Sequence, residues 1–349
     1  MRDPPVVLPL ALLVLSACLP VHYSLQAGAG QLELWSQARA LEDVLESPRT
    51  PARTRRLLSE VPEVKWFGEE HGLRATSSYR KFVELHRPAV VWAVSACPEL
   101  SLQAHVWRVP IAGSVPYLGW FEQRAAADFG AGLREEGFDV EVRPVPAYST
   151  LGWFDDPVLS SMLSPGNEGL ASLVETVLHE SVHATLYLAG QSSFNEGLAS
   201  FAGSRLAKLY LAARYGPRAV EWLEERSTRG AARSKSWNAQ LHAAALELDA
   251  LYQDKSKSDD EKRTRKQVAL AALTKSLGAR RPITNATLAQ HLTYRAGSGP
   301  GGFERVLSVC DGDWACFFAK LSKVRPGDFS KPQQEQFDEV LQRLGPPAR

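Results

Sequence analysis

Residues 179–183 read His-Glu-Ser-Val-His, two imidazoles four positions apart with a carboxylate beside the first. On an α-helix, residues i and i+4 share a face about one turn apart, so both imidazoles can reach one ion. Zn²⁺ accepts His nitrogens at about 2.0–2.1 Å. Glu180 is turned by about 100° from His179, out of ligand range but within reach of a water on the ion. That is the place of a general base. Leu173, Val174, Val177, Leu178, Val182 and Leu186 surround the motif and put its helix in a core. Two imidazoles and a carboxylate are costly to bury there without partners, and one metal ion accounts for all three.

A hydrolytic zinc site holds three protein ligands and keeps a fourth position open. Phe194-Asn195-Glu196-Gly197-Leu198-Ala199-Ser200-Phe201 opens the next helical segment. The turn Gly190–Ser193 lets the two helices fold back antiparallel, and the small Ala199, one turn past Glu196, permits their close approach. The expected metal set is His179, His183 and Glu196. Alone, Glu196 would be a first-turn carboxylate favoured by the helix dipole. Zn²⁺ lowers the pKa of bound water toward about 7, and Glu180 would take that proton and pass it to a leaving amine.

The elements that must position these groups follow from periodicity. Gln31–Leu45 carries Leu34, Ala38, Leu41 and Leu45 at helical spacing. Arg49–Val61 and Val64–His71 read as short helices or turns broken by Pro48, Pro51 and Pro62, and Tyr79–His86 reads as helix. Val90–Val94, Leu102–Val109, Val115–Phe121 and Phe138–Val145 are strand candidates, with a helix over Phe121–Glu136 closed by Gly137. From Pro157 onward nearly everything is helical: Glu168–Leu188, Ser193–Tyr215, Arg218–Arg226, Ala231–Gln253, Glu261–Leu277, Thr287–Tyr294 and Gly302–Leu307. The mixed-charge run Asp254–Lys266 reads as a solvated turn. The fold class is therefore α+β, a small, mostly antiparallel sheet in the N-terminal half packed on a helical C-terminal half. Its segments are a leader over 1–17, helices and sheet over 18–156 and the zinc-bearing helices over 157–349, with 18–349 one catalytic unit.

Met1–Cys18 has an apolar stretch, Val6–Ala17, too short to span a bilayer. Leu15-Ser16-Ala17-Cys18 is similar to a bacterial lipobox, which makes Cys18 the lipidation site and sends the chain to the cell envelope. An ordinary secretory signal with an incidental Cys is the plainer alternative. Leu19 after the Cys leans toward the outer membrane, facing the periplasm. Of the remaining cysteines, Cys97 is a core residue, and Cys310 and Cys316 around DGDWA are either bridged or two reduced thiols.

The pair HESVH and NEGLA resembles the gluzincin metallopeptidases, with a shorter link between the motifs. The chain as a whole is similar to a bacterial aminopeptidase family of zinc-dependent lipoproteins. The similarity runs through the lipobox, HYSLQAGAGQLELW, YRKFVELHRP, AYSTLGWFDDPVLSSML, the two zinc motifs and ITNATLAQHLTY. The resemblance implies a zincin-like helical half and a zinc peptidase, most simply an aminopeptidase, acting on peptides. It also implies a phenol or imidazole steadying the oxyanion, for which Tyr294 and Tyr148 are the candidates. Ser149–Met162 either lies along the substrate as an edge strand or packs in the core. Asp155 and Asp156 either attract a substrate ammonium or cap a helix starting at Pro157. A zinc endopeptidase and a non-catalytic zinc-containing envelope interaction protein stand as alternatives.

Composition narrows the field. With 44% hydrophobic and 23% charged residues, the chain is neither disordered nor a multi-span membrane protein. Lys plus Arg is 40 and Asp plus Glu 39, so no basic excess points to nucleic acid. Gly297–Gly302 lacks the strand and Lys of a phosphate loop, so no nucleotide is expected.

Overall fold

The structure is a computed structural model. It describes residues 8–87, 89–109, 113–145, 150, 154–296, 300–334 and 336–345, without the side chains of 8–22, 224–235, 293–296 and 300. The fold is α+β. In chain order the elements are α1 (Leu8–Gln37), β1 (Arg39–Ala40), α2 (Leu41–Glu46), α3 (Ala52–Glu70), β2 (Lys81–Val83), β3 (Val91–Pro98), β4 (Trp107–Val109), β5 (Gly113–Val115), β6 (Leu118–Trp120), α4 (Gln123–Glu135), β7 (Phe138–Val145) and β8 (Val158–Leu159). Then come α5 (Gly166–Thr185), α6 (Ser192–Tyr215), α7 (Val220–Gln253), α8 (Asp259–Ser276), α9 (Asn285–Ala296), α10 (Pro300–Val309), α11 (Trp314–Leu321) and α12 (Asp338–Gln342). Among the described residues no helix is long and apolar enough to cross a membrane.

The largest sheet has β3 at its centre, antiparallel to β6 and β7. Its two faces differ because strand side chains alternate. Trp92, Val94 and Ala96 join Leu118, Trp120 and Val140 in an apolar layer closed by Ala126 and Leu133 of α4. On the other face Ala93 registers with Arg143, Ser95 with Glu141 and Cys97 with Asp139. Cys97 there packs on Ala286 and Ala289 of α9, as a core residue with its thiol pushed up to about 12 by burial. The N-terminal helix is tied to this sheet: Gln26 donates to the Gly119 carbonyl (3.1 Å) and accepts from the Phe121 amide (3.2 Å). Gly30 lies where a Cβ would collide with the Phe121 ring.

Several expectations are corrected. Gln31–Leu45 is not one helix, because the chain straightens into β1 between α1 and α2. Tyr79–His86 is not helical. Tyr79 has φ +67°, its amide donates to the Asp156 carbonyl, and Phe82 and Val83 pair with Val158 and Leu159 of β8. The strand pairing and a left-handed residue override a local helical pattern. Pro62 does not break α3, because Leu57, Leu58, Val61 and Val64 on the same helix are all buried. Leu102–Val109 is strand only from Trp107, since Leu102 is drawn into a separate core with Leu241, Leu248 and Leu273 of α7 and α8. Arg218–Arg226 and Ala231–Gln253 join in the single helix α7. Asp254–Lys266 is not wholly a solvated turn. It becomes α8 at Asp259, behind a Ser258 cap, and buries Lys262 and Lys266. Helix α11 was not anticipated. Its N-cap is Asp313, and Cys316 within it is bridged to Cys310.

Candidate metal centre

Helices α5 and α6 carry the centre. The chain leaves α5 at Leu186 and turns at Gly190, whose φ of +77° suits glycine. Asn195 braces this turn from the first turn of α6, donating to the Leu188 carbonyl (2.8 Å) and accepting from its amide (2.9 Å). A buried amide satisfied twice by one backbone residue fixes the start of α6 against the end of α5. Gln333 holds the same turn from the C-terminal segment: its amide donates to the Gly190 carbonyl, and its side chain accepts from Ser192 N and donates to the Ser114 carbonyl.

The two helices run antiparallel at close range. Near the turn Glu196 faces His183 and His179, and two turns further Gly203 lies against His179. A Cβ at Gly203 would sit 3.0 Å from the His179 Cα, so a side chain there would push the metal helix away. Sequence reasoning gave this role to Ala199, which is fully buried, and missed Gly203.

His179, His183 and Glu196 converge. Glu196 Oε2 is 3.6 Å from His179 Nε2, and Oε1 is 3.7 Å from His183 Nε2. The imidazoles stand nearly perpendicular with centroids 4.9 Å apart, and one donor atom from each of the three lies within 4.8 Å of the others. Bonds of about 2.1 Å in a tetrahedron give donor–donor edges of about 3.4 Å, so the set fits a zinc-sized ion with small adjustments. The donor chemistry, two nitrogens and a carboxylate oxygen, suits Zn²⁺.

The electrostatics show an incomplete charge balance. Burial pushes Glu180 up to about 7, with His179 opposing and Glu196 and Asp156 adding to the rise. Burial lowers His183 to about 4 against the pull of Glu196. For His179 burial opposes the charged form, but its hydrogen bond to Glu196 and the charges of Glu180, Glu196 and Glu175 prevail and raise it. Glu196 is held low despite burial, by His179, His183 and Arg143.

Of the sequence-predicted residues, His179, Glu180, His183 and Glu196 are thus brought together. Tyr148 lies outside the described residues, as does the Tyr294 side chain on α9, and so does most of the stretch Ser149–Trp153. No helix starts at Pro157, where the chain enters β8. Asp156 is buried and accepts from the Thr150 amide (2.8 Å). Three tyrosines that sequence reasoning passed over surround the centre. Burial raises Tyr117 and Tyr187, and Glu196 raises both further; burial raises Tyr79, with Glu180 and Asp156 adding to it. The Tyr117 hydroxyl makes no hydrogen bond to any described residue.

A pair of histidines one turn apart and a facing glutamate, held on antiparallel helices, form a group that could hold a metal ion, with the Glu180 carboxylate beside it. The family model described as "Putative aminopeptidase" matches residues 22–336, and the chain belongs to this family. That membership points to a hydrolase acting on peptides. Neither a curated protein nor a solved structure matches the chain.

Proposed function

We propose that this chain is a zinc-dependent peptidase of gluzincin type, an aminopeptidase, exported and anchored in the bacterial envelope through lipid on Cys18. The observation that carries the catalytic reading is the convergence of Glu196 on both imidazole Nε2 atoms with Glu180 on the next position of the same helix. His179, His183 and Glu196 would hold the ion. When bound, Zn²⁺ supplies Lewis acidity toward a carbonyl oxygen and an acidified water. Glu180 accepts a proton at its carboxylate and delivers it to the departing amine nitrogen. Its affinity near neutrality in this buried setting suits a group that must take and return a proton. Tyr117, whose hydroxyl makes no hydrogen bond to a described residue and is kept protonated by burial, is a donor available to a developing oxyanion. Asn195 and Gly203 position the helices that carry the ligands.

The test is hydrolysis of a mixed peptide library, read by mass spectrometry, with free and blocked N-termini in parallel. Wild type should trim single residues from free N-termini, and Glu180→Gln should retain zinc and cut nothing. Internal cuts would make the enzyme an endopeptidase. Bound zinc without any cleavage would leave an interaction protein.

A further inference from the structure

Arg143 is a cation close to the centre with no role in the chemistry above. It projects from β7 on the sheet face that also carries Asp139 and Glu141. Asp139 meets Lys266 at 3.3 Å, and Glu141 meets the charges of Arg143 and Arg281 and the Thr287 hydroxyl. Arg143 is half-buried and makes no ion pair within 4 Å to any described residue. Its guanidinium lies over the Tyr117 ring, 5.8 Å from the centroid. A guanidinium keeps its charge at any physiological pH and presents a planar fork of donors.

The segment bearing Tyr117 is pinned to the metal helices. Gly113 lies against Gly190, where a Cβ would sit 3.2 Å from the Gly190 amide nitrogen, and the Ser114 carbonyl accepts from Gln333. Gln290 of α9 donates to the Pro116 carbonyl at 2.8 Å. The segment leading to Tyr117 is therefore anchored to the α5–α6 turn at Gly113 and Ser114 and to α9 at Pro116, and Tyr117 and Arg143 both sense the charge of Glu196. Glu196 is committed to the imidazoles. With the centre loaded its charge is further neutralised, which leaves Glu141, outside ion-pair distance, as the remaining anion that Arg143 senses among the described residues.

We propose that Arg143 binds a carboxylate of the substrate, so that the peptides preferred are those carrying a carboxylate near the scissile bond. This rests on the peptidase reading. Two sources share that chemistry, the C-terminal carboxylate of a short peptide and an acidic side chain. A bidentate Arg–carboxylate contact in a partly dry site should be worth about 10- to 100-fold in affinity.

The experiment titrates zinc-loaded full-length protein carrying Glu180→Gln, which binds without cutting, by calorimetry with Ala-Ala-Ala, its C-terminal amide, and Ala-Glu-Ala amide. The Arg143 variants are made on this background. At least one carboxylate-bearing peptide should bind about 10- to 100-fold more tightly than Ala-Ala-Ala amide, and which one does so identifies the source. Arg143→Gln should remove that preference while metal content and Tm stay at the values of the protein with Arg143 intact, and Arg143→Lys should restore only part of it. Equal binding of all three peptides to the protein with Arg143 intact, or a preference that survives Arg143→Gln, overturns the assignment and leaves the peptidase reading intact. Binding of none of the peptides overturns both.

Discussion

Two clusters of buried charge among the described residues are built in opposite ways. Under the α7–α8 hairpin every charge has an answer. Lys266 reaches the Glu99 carbonyl and both Asp139 oxygens, Arg263 bridges Glu99 and Asp260, and Lys262 donates to the Tyr252 carbonyl. Asn285 joins Glu99 and Tyr252 to the same network. In the metal centre the balance is left open. One carboxylate is shared by two imidazoles, and Glu180 and His183 are both driven toward their neutral forms by burial. The His183 Nδ1 is buried and makes no hydrogen bond to a described residue. A satisfied network locks elements together, whereas an unsatisfied one is stabilised by what it binds. A dication in the second cluster would supply the missing positive charge and compete with protonation of the imidazoles.

The contrast can be broken at either end. The largest effect is expected in the open cluster. Glu180→Gln should lower peptide turnover by about 10²–10⁴-fold, measured as kcat, with metal content unchanged. In the closed cluster Lys266→Ala strands Asp139 and should cost about 3 kcal/mol in urea unfolding, with no loss of metal. Asn195→Ala sharpens the comparison, because its residue is structural but sits in the open cluster. It should cost about 1–3 kcal/mol and weaken metal binding together, read by denaturation and metal titration on one preparation. The smallest effect is a pH dependence in the closed cluster. Arg263 holds the half-exposed Glu99 below its ordinary value, so its stabilisation is present above about pH 4.5 and lost as pH falls through the folded pKa. Glu99→Gln should lower Tm slightly at pH 7, by less than about 1 kcal/mol of stability, and the difference from wild type should shrink as pH falls below about 4.5.

The open cluster was the more legible in sequence. Its ligands lie on two consecutive helices joined by a short turn, so helical spacing and one Gly-bearing turn place His179, His183 and Glu196 without any long-range knowledge. Glu180 follows from the same register. The groups that approach from elsewhere were not legible. Tyr117 and Arg143 come from a loop and a strand distant in the chain, and long-range contacts, among them the register of β3 with β7, the Gly113–Gly190 approach and the Gln333–Ser114 and Gln290–Pro116 hydrogen bonds, set their place. Local patterns misled where pairing decided the outcome, as at Tyr79 and β2. They also misled where burial of long stems decided it, as at Lys262 and Lys266, whose charged run looked solvated. Gly203 left a signal that could have been used, a glycine seven residues after Glu196 on the same helix face.

The central claim is that His179, His183 and Glu196 form one metal site. Metal content after dialysis against trace zinc, measured by mass spectrometry on wild type, Glu196→Ala and Glu180→Gln, tests it most directly. One zinc per chain in wild type and in Glu180→Gln, with loss in Glu196→Ala, is the predicted result. A wild type that holds no zinc, or a Glu196→Ala variant that holds it as tightly, would contradict the account.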